Sequence, residues 1–335
     1  MSYQDTTLDL LRDCKELKPY GSGKVREIFE LPSYPNYLLV YVTDRWSARD
    51  FVFDFGIDGI GMVRNAMTIH AKKAAMKEGV KTDLVAYGRL IDEYLPAELK
   101  RSANLRKRAT IVKKLEMYMY ELIVRFNSVG GVQAAAEVAL AAGKTEFEFC
   151  GNVITASLQF GSTFDPPLST PTTKEAVGHD NNVDKQKVED EHPGLLAFAA
   201  GRAIAIHDRL VREGRGNLID IKFELGRDPV TGEHVLGDEV SPDSARFTSH
   251  DHYPLLHIGL KDRVDFLDKE FGRSWADKLG IKDYDPKNPE HRAIVAEWEG
   301  DEKFMKEFRD RYDRCFFMYT NGYTLAEYQK EVMNL

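Results

Sequence analysis

The sequence from Leu218 to Arg246 reads LIDIKFELGRDPVTGEHVLGDEVSPDSAR and places two apolar runs on either side of a turn rich in glycine and proline. A period of two residues puts Asp220, Lys222 and Glu224 on one face of a strand and four apolar side chains on the other. We therefore predict a β-hairpin whose apolar face is buried and whose charged face meets water or a ligand.

The returning run of this hairpin, HVLGDEV, is expected to bring Asp238 and Glu239 close to Glu224. Carboxylates on adjacent strands form a hard oxygen site that suits magnesium, which also binds nucleotide phosphates. The pattern by itself leaves two interpretations open, because a half-exposed strand also shows alternating charge. One is a solvated surface, and the other is a magnesium site.

Composition indicates an ordinary globular protein of 335 residues, long enough for two lobes at about 150 residues each. The net charge of −8 gives no support to nucleic-acid binding. No apolar stretch approaches the roughly 20 residues that span a bilayer, and no signal peptide is recognisable. Three widely spaced cysteines without a CxxC pair fit a reducing compartment. We expect a cytoplasmic protein without a membrane or nucleic-acid partner.

Local patterns predict several further elements. The runs KVREIFEL and NYLLVYVTD predict a hairpin, and residues 64–80 predict a helix that ends at Gly79. Residues 109–126 predict a strand with a break near Met117, and residues 192–214 predict a helix that Gly214 ends. Residues 151–193 show little periodicity, as functional or disordered loops do. The charged C-terminal region is expected to be helical and held down by its aromatic residues.

The stretch YGSGKVREIFE places Gly21 and Gly23 just before Lys24 and Arg26. It is not a Walker loop, because the glycine-to-lysine spacing differs and a strand follows where that loop requires a helix. A glycine-rich hairpin turn can instead fold over nucleotide phosphates, with basic side chains that reach them. An ordinary turn remains the alternative.

Two other polar groups are candidates for a site. The segment VTDRWSARD crowds Asp44, Ser47 and Asp50 at the end of a strand, where they line a cleft or form a polar loop with a local ion pair. Arg125 lies in the apolar run YELIVRF and needs an anionic partner if it is buried, and Glu121 on the same strand face is the expected one.

The loop TPTTKEAVGHDNN carries His179 and Asp180, which are either structural or part of a site.

Taken in order, these motifs and the segments KKLEMYMYELIVR, GDEVSPDSARF and LDKEFGRSWADKLGI resemble the SAICAR synthetase family of purine biosynthesis. The resemblance spans roughly residues 20 to 280. It implies a two-lobed α+β fold, with an antiparallel-sheet ATP lobe, similar to the nucleotide lobe of protein kinases and ATP-grasp proteins, over residues 1–117. A mixed α/β lobe that binds substrate and metal, with the C-terminal helices, would cover residues 118–335.

The resemblance also implies roles for individual residues. Those implied for ATP binding are Gly23, Lys24, Arg26, Lys114, Glu116, Met117, Glu224 and Asp238. Those implied for substrate binding are Ser47, Asp50, Arg125, Ser241 and Arg246, with the two arginines on the ribose phosphate. Catalytic roles fall on Lys24, Lys222, Glu121 and Asp180, and metal binding falls on Glu224, Asp238 and Glu121.

The implied activity is an ATP- and Mg²⁺-dependent ligation of L-aspartate to an imidazole ribotide carboxylate. Phosphoryl transfer to a carboxylate needs alignment and charge neutralisation more than a protein nucleophile, and the basic residues suit that need. Small-molecule substrates are the expected partners, and the sequence leaves an oligomer open.

Five positions differ from the family pattern. Gly131 stands where a phosphate-binding serine is usual, Ile60 replaces a lysine, Ile221 replaces a threonine, and Trp46 and Arg49 replace smaller or uncharged residues. Most of these changes are expected around the small-molecule substrates. They leave two alternatives open, a paralogous ligase with a different amine or carboxylate, and a nucleotide-binding protein without turnover.

Overall fold

The computed structural model describes residues 4–174, 180–260 and 263–335. The chain folds into two compact units, of which the first comprises residues 1–116, 235–241 and 269–335, and the second comprises residues 117–234 and 242–268. The boundary after residue 116 lies next to the predicted one. The C-terminal residues 269–335 instead group with the first unit, whereas the sequence placed them in the second lobe.

The first unit is built on a five-stranded antiparallel sheet in the order β1-β2-β3-β7-β6. Its strands, with the separate hairpin β4–β5, are β1 Lys18–Ser22, β2 Arg26–Glu30, β3 Tyr37–Val42, β4 Arg45–Ala48, β5 Phe51–Gly56, β6 Leu84–Tyr87 and β7 Ala109–Lys113. Its first three helices are α1 Thr6–Asp13, α2 Ile60–Lys77 and α3 Ala103–Arg108. The predicted hairpin and the helix before Gly79 are confirmed, although α2 begins four residues earlier than expected.

The core of the first unit lies between the sheet and the helices. Alternation in β2 buries Glu27 and Phe29 and leaves Arg26, Ile28 and Glu30 partly exposed, as a half-buried strand requires. Short 3-10 helices at Gly88–Glu93 and Ala97–Leu99 connect β6 to α3. Apolar residues of α1, the sheet and these connections form one buried cluster.

The C-terminal helices of the first unit are α8 Glu270–Lys278, α9 Pro289–Ala296, α10 Glu302–Tyr319 and α11 Leu325–Glu331. Helices α10 and α11 pack on α2, α9 packs on β5, and α8 packs on β4. Trp46 in β4 is 1% exposed, stacks on Phe53 with ring centroids 4.2 Å apart, and meets Trp275 and Phe308 edge-on. Burial of this aromatic cluster is the physical reason why residues 269–335 belong to the first unit.

The second unit contains a five-stranded antiparallel sheet, in which four strands follow the order β12-β9-β14-β17 and the fifth, β13, also pairs with β9. Its elements are β9 Tyr120–Asn127, α4 Gly131–Ala141, β10 Glu146–Phe149, β11 Asn152–Thr155, β12 Thr163–Ser169, β13 Thr172–Thr173, α5 Lys185–Glu191, α6 Leu195–Arg212, β14 Gly216–Phe223, β15 Gly226–Arg227, β17 Ala245–Ser249 and α7 Tyr253–His257. The chain passes between the units after residues 116, 234, 241 and 268, and the first two passages fall within the short strands β8 Glu116–Met117 and β16 His234–Val235.

Two expectations about the second unit need correction. Residues 151–174 and 180–193 contain β11 to β13 and α5 rather than a long irregular loop, and His179 lies outside the described residues. Strand β14 does not pair with the HVLGDEV run. It lies between β9 and β17, because residues 235–241 belong to the first unit, where the backbone of Leu236 bonds to Lys81 and Asp83.

Candidate functional site

A tight turn at Gly23 presents two cations of the first unit. The amide of Gly23 donates to the carbonyl of Arg26 at 2.8 Å, and alternation then sends Val25 to the core while Lys24 stays exposed and Arg26 half-buried. The Lys24 ammonium pairs with the carboxylate of Asp50. The turn thus holds the two basic residues predicted to reach phosphates on one side of β2.

The carboxylate of Asp238 accepts both terminal nitrogens of Arg26, and the bond from Nη2 to Oδ2 measures 3.0 Å. Asp238 has a left-handed backbone conformation at φ 51°, which is uncommon for a residue with a side chain. Glu239 lies next to it, with Oε1 3.7 Å from the same Nη2. Ser241 is buried and donates from Oγ to Oε2 of Glu239 at 2.8 Å, so its hydroxyl serves this carboxylate.

The hairpin β4–β5 decides where Ser47, Arg49 and Asp50 point. Arg49 and Asp50 have φ values of 50° and 69° and form a two-residue turn between the paired Ala48 and Phe51. Ser47 is half-buried opposite Val52.

Arg49 binds Asp277 of α8 through Nε at 3.1 Å and Nη2 at 2.7 Å, and Lys282 reaches the same carboxylate at 3.0 Å. Burial alone would raise the pKa of Asp277, but the hydrogen bonds from Arg49 and Lys282 hold it below its usual value. Arg49 is therefore part of an ion-pair cluster on a C-terminal helix.

Three of the five departures from the family pattern have structural explanations within the first unit. Trp46 fills the aromatic core, Arg49 pairs with Asp277, and Ile60 is fully buried in the first turn of α2. The expectation that these positions lie around the small-molecule substrates stays a prediction.

The predicted adenine-binding linker joins the units. Lys114 donates to Glu30 at 2.8 Å, and its ammonium lies 4.5 Å from the ring centroid of Tyr20. The hydrogen bond from Lys114 lowers the pKa of Glu30. Glu116 and Met117 form the exposed strand β8. Lys114 is thus engaged within the first unit, and its role toward a nucleotide stays a prediction.

In the second unit, charged side chains from three adjacent strands share one face of the sheet. Arg125 on β9 is directly opposite Asp220 on β14, and Asp220 is opposite Arg246 on β17. Nη1 of Arg125 donates to Oδ2 of Asp220 at 2.7 Å, and Nη1 of Arg246 donates to the same oxygen at 2.5 Å. The expected partner of Arg125, Glu121, is replaced by Asp220, because cross-strand register brings Asp220 closer than a residue four positions along the same strand.

The two guanidinium groups and one carboxylate leave a net positive charge, and burial lowers the pKa of Arg125. A Cβ atom added at Gly130 would lie 3.2 Å from Nη2 of Arg246, so this guanidinium rests against the N-terminus of α4. Nη1 of Arg125 also reaches the carbonyl of Val129 at 3.4 Å. Arginine side chains beside a helix N-terminus form an arrangement that favours a phosphate or carboxylate.

A second charged group lies further along the same face. Lys222 pairs with Glu121, and its Nζ lies 3.3 Å from Oε1 of Glu224, so one ammonium bridges the two carboxylates. Lys174 pairs with the other oxygen of Glu224. Burial raises the pKa of Glu121, Lys222 lowers it, and the negative charge of Asp180 raises it further, which places Asp180 in the same group.

No group of three or more His, Cys, Asp or Glu side chains suited to a metal occurs within residues 4–174, 180–260 and 263–335. The carboxylates of Glu121 and Glu224 nevertheless converge on one cation in the second unit, and Asp238 and Glu239 do the same in the first. Carboxylate oxygens of this kind fit Mg²⁺, which takes one or two carboxylates and completes its shell with phosphates and water.

Sequence reasoning missed two members of these groups. Asp220 was placed on the charged face of the strand without a partner, and Lys174 was not singled out. The register of β14 against β9 places Asp220 opposite the buried Arg125, whereas Lys174 reaches Glu224 from the residue after β13.

Comparison with known proteins decides the family. Residues 19–289 match the family model described as SAICAR synthetase. The chain belongs to the SAICAR synthetase family. A phosphoribosylaminoimidazole-succinocarboxamide synthase of Schizosaccharomyces pombe is 32% identical over 264 residues, which cover 76% of this chain and 82% of the relative. The corresponding synthase of Maridesulfovibrio salexigens is 28% identical over 92% of this chain and 96% of its own length.

Solved structures of the SAICAR synthetase family share the fold. The SAICAR synthase of Saccharomyces cerevisiae in complex with SAICAR superposes with a TM-score of 0.72 at 25% identity, over 92% of this chain and 96% of that one. A type-2 SAICAR synthetase in complex with ADP has a TM-score of 0.59 at 21% identity. The predicted α+β fold is thereby confirmed. Among the helices of the described ranges, none is both long and apolar enough to cross a membrane.

Proposed function

We propose that this member of the SAICAR synthetase family is an ATP-dependent carboxylate–amine ligase. It joins L-aspartate to the carboxylate of an aminoimidazole ribotide (CAIR), giving SAICAR, ADP and phosphate. The observation that carries the proposal is the pair of arginines, Arg125 and Arg246, that share Asp220 beside the N-terminus of α4. The relatives that bear the name of this activity cover most of the chain and most of their own length.

The arginine pair binds the phosphate of the ribotide. Asp220 fixes both guanidinium groups without cancelling their charge, because two cations share one carboxylate. Arg246 is the more exposed of the two, with 19% of its side chain accessible against 9% for Arg125. Arg246 therefore contacts the phosphate directly, and the buried Arg125 contributes charge and holds Asp220 in place.

The charged group of Lys222, Glu121 and Glu224 acts on the reacting carboxylate of the ribotide. A carboxylate oxygen of the ribotide attacks the γ-phosphorus of ATP, the bond to the ADP oxygen breaks, and an acyl phosphate forms. The amine of aspartate then attacks the acyl carbon, phosphate leaves with the carbon–oxygen bonding pair, and the amine loses a proton to give the amide. Lys24, Arg26 and Lys222 stabilise the negative charge that shifts in both steps, so no protein nucleophile is needed.

Glu121 and Glu224 of the second unit and Asp238 of the first are the proposed Mg²⁺ ligands, and the ion when bound would supply charge neutralisation on the phosphates of the nucleotide. Ser47 and Asp50 at the β4–β5 hairpin, and Ser241 through Glu239, remain proposed contributors to substrate binding. Residues 1–117 remain the proposed ATP lobe, and the proposed substrate lobe, predicted as residues 118–335, is reduced to residues 118–234 and 242–268, because residues 235–241 and 269–335 group with the first unit.

The alternative of a paralogous ligase is not favoured. Its motive was the set of departures at Trp46, Arg49, Ile60 and Gly131, and the first three serve packing or ion pairing within the first unit. A nucleotide-binding protein without turnover is also not favoured, because the reactive face keeps both its carboxylates and its cations.

The test is to incubate the purified full chain with ATP, Mg²⁺, CAIR and L-aspartate, and to measure ADP release and product mass. We expect ADP release that depends on aspartate, together with the mass of SAICAR. In Glu224→Gln, kcat should fall by about 10²-fold or more, because a charged group at the phosphoryl-transfer site is lost.

Glu146→Gln is the matched control, because Glu146 is exposed on strand β10 and belongs to neither charged group. Its kcat should stay within twofold of the wild type. ADP release that requires a different amino acid would contradict the assigned substrates, and near-normal turnover in Glu224→Gln would contradict the role of this carboxylate.

A further inference from the structure

The segment 235–241 of the first unit carries Asp238 between two anchoring points. At one end, the amide of Leu236 donates to the carbonyl of Lys81 at 3.0 Å, and the amide of Asp83 donates to the carbonyl of Leu236 at 3.1 Å. A parallel β-bridge joins Thr82 to Leu236. Backbone hydrogen bonds thus fix this end of the segment.

At the other end, the side chain of Thr68 binds the backbone of Val240. Thr68 on α2 donates from Oγ1 to the carbonyl of Val240 at 3.3 Å, and the same oxygen accepts the amide of Val240 at 3.3 Å. Val240 is fully buried, so its amide and carbonyl need partners within the protein. A single hydroxyl thus satisfies both backbone groups of the residue two positions after Asp238.

Between these two anchors, the backbone of Asp238 adopts a left-handed conformation, which is uncommon for a residue with a side chain. Asp238 has φ 51° and makes the bidentate contact with Arg26, while Glu239 reaches the same guanidinium and Ser241. A residue in the left-handed region persists only where its surroundings over-determine it. Without the Thr68 hydroxyl, the buried amide and carbonyl of Val240, next to Glu239, would lose this hydrogen-bond partner.

We infer that Thr68 is a positioning residue, which acts through Val240 to hold the carboxylate of Asp238 toward the magnesium–nucleotide complex. The inference rests on the proposed function of Asp238. Thr68 itself lies on the helix and contacts the backbone of the segment, so its effect on the reaction is indirect. Loss of the Thr68 hydroxyl should weaken nucleotide and metal binding more than it lowers the stability of the fold.

The experiment compares Thr68→Val, which keeps the shape and removes the hydroxyl, with Thr68→Ser, which keeps the hydroxyl. We expect Thr68→Val to raise both the KM for ATP and the Mg²⁺ concentration for half-maximal activity at least fivefold, with kcat less affected. Thr68→Ser should stay within twofold of the wild type. Deuterium exchange in the peptide that spans residues 235–241, measured without nucleotide, should quicken in Thr68→Val and not in Thr68→Ser.

Thr324→Val is the matched control, because it removes a threonine hydroxyl that caps α11 in the same unit. It should lower the melting temperature without changing the Mg²⁺ dependence. Equal shifts of the KM for ATP and of the Mg²⁺ dependence in Thr68→Val and Thr324→Val would overturn the inference, and so would wild-type Mg²⁺ dependence and deuterium exchange in Thr68→Val.

Asp238→Asn separates the two proposals. If this variant is impaired and Thr68→Val is normal, only the positioning role fails, and if Asp238→Asn is normal, the role of Asp238 fails as well.

Discussion

Arg125 on β9 and Asp220 on β14 are directly opposite each other in adjacent antiparallel strands, and Nη1 of Arg125 donates to Oδ2 of Asp220 over 2.7 Å. Both side chains are buried, and Arg246 shares the same oxygen from the next strand. Three strands are thus joined at one point by charge as well as by backbone hydrogen bonds, and this point is where the proposed phosphate site lies.

Asp220→Asn should destabilise the protein by about 3 kcal/mol, because it leaves the buried Arg125 beside a second cation without a carboxylate. Urea unfolding followed by circular dichroism measures the loss. The double variant Arg125→Met, Asp220→Leu should recover more than half of it, since both buried charges are then gone. A change under about 1 kcal/mol in Asp220→Asn would contradict the importance of the pair.

Gly272→Ala should destabilise the protein by about 1–3 kcal/mol. A Cβ atom at this position would lie 2.8 Å from ring atoms of Phe308 and Trp46, so the aromatic cluster has no room for it. Gly201→Ala in α6 is the matched control, because a Cβ atom there meets nothing within 4 Å. That variant should be more stable than the wild type by about 0.5–1 kcal/mol, and thermal melting of both variants checks the contrast. Equal effects of the two substitutions would refute the tight packing of α8.

Asp277→Asn should lower stability by about 1 kcal/mol near neutral pH, because it removes the acceptor for Arg49 and Lys282. The pKa of Asp277 is lowered in the fold, so its contribution is present above the pKa of the unfolded chain and is lost as the pH falls through the folded value. The difference in melting temperature between the variant and the wild type should therefore decrease progressively as the pH falls below roughly 4. A difference that stays constant from pH 7 to pH 3 would exclude the ion pair as its cause.

Gly131→Ser tests the one departure from the family pattern that lies beside the proposed phosphate site. A Cβ atom here would meet Phe149 at 3.6 Å, an ordinary contact, so the fold should accept the change. One added hydroxyl donor should lower the KM for CAIR by roughly twofold to tenfold, as a net hydrogen bond of about 0.5–1.5 kcal/mol implies. Gly131→Ala supplies the control without a hydroxyl, and steady-state kinetics in which both variants behave alike would argue against a phosphate at this position.

Much of the local structure could be predicted from the sequence, since it depends on neighbours in the chain. Period-two alternation predicted the strand that carries Asp220 and Lys222 and ends just before Glu224. Glycine residues predicted the ends of α2 and α6, and an arginine in an apolar run predicted a buried ion pair. The ordered motifs also predicted the family, which the comparisons confirm.

The partners of these residues were decided only by the tertiary structure. Alternation places a side chain on a face but does not set the register between strands, so it could not choose Asp220 over Glu121 as the partner of Arg125. In the same way, no local pattern pairs Trp46 or Arg49 with α8, whose Trp275 and Asp277 contact them from more than 200 residues away in the chain. The sequence by itself determined which side chains are buried or charged and in what order they follow along the chain. The long-range packing of strands and C-terminal helices determined which of these side chains contact each other, because those contacts join segments that share no local pattern.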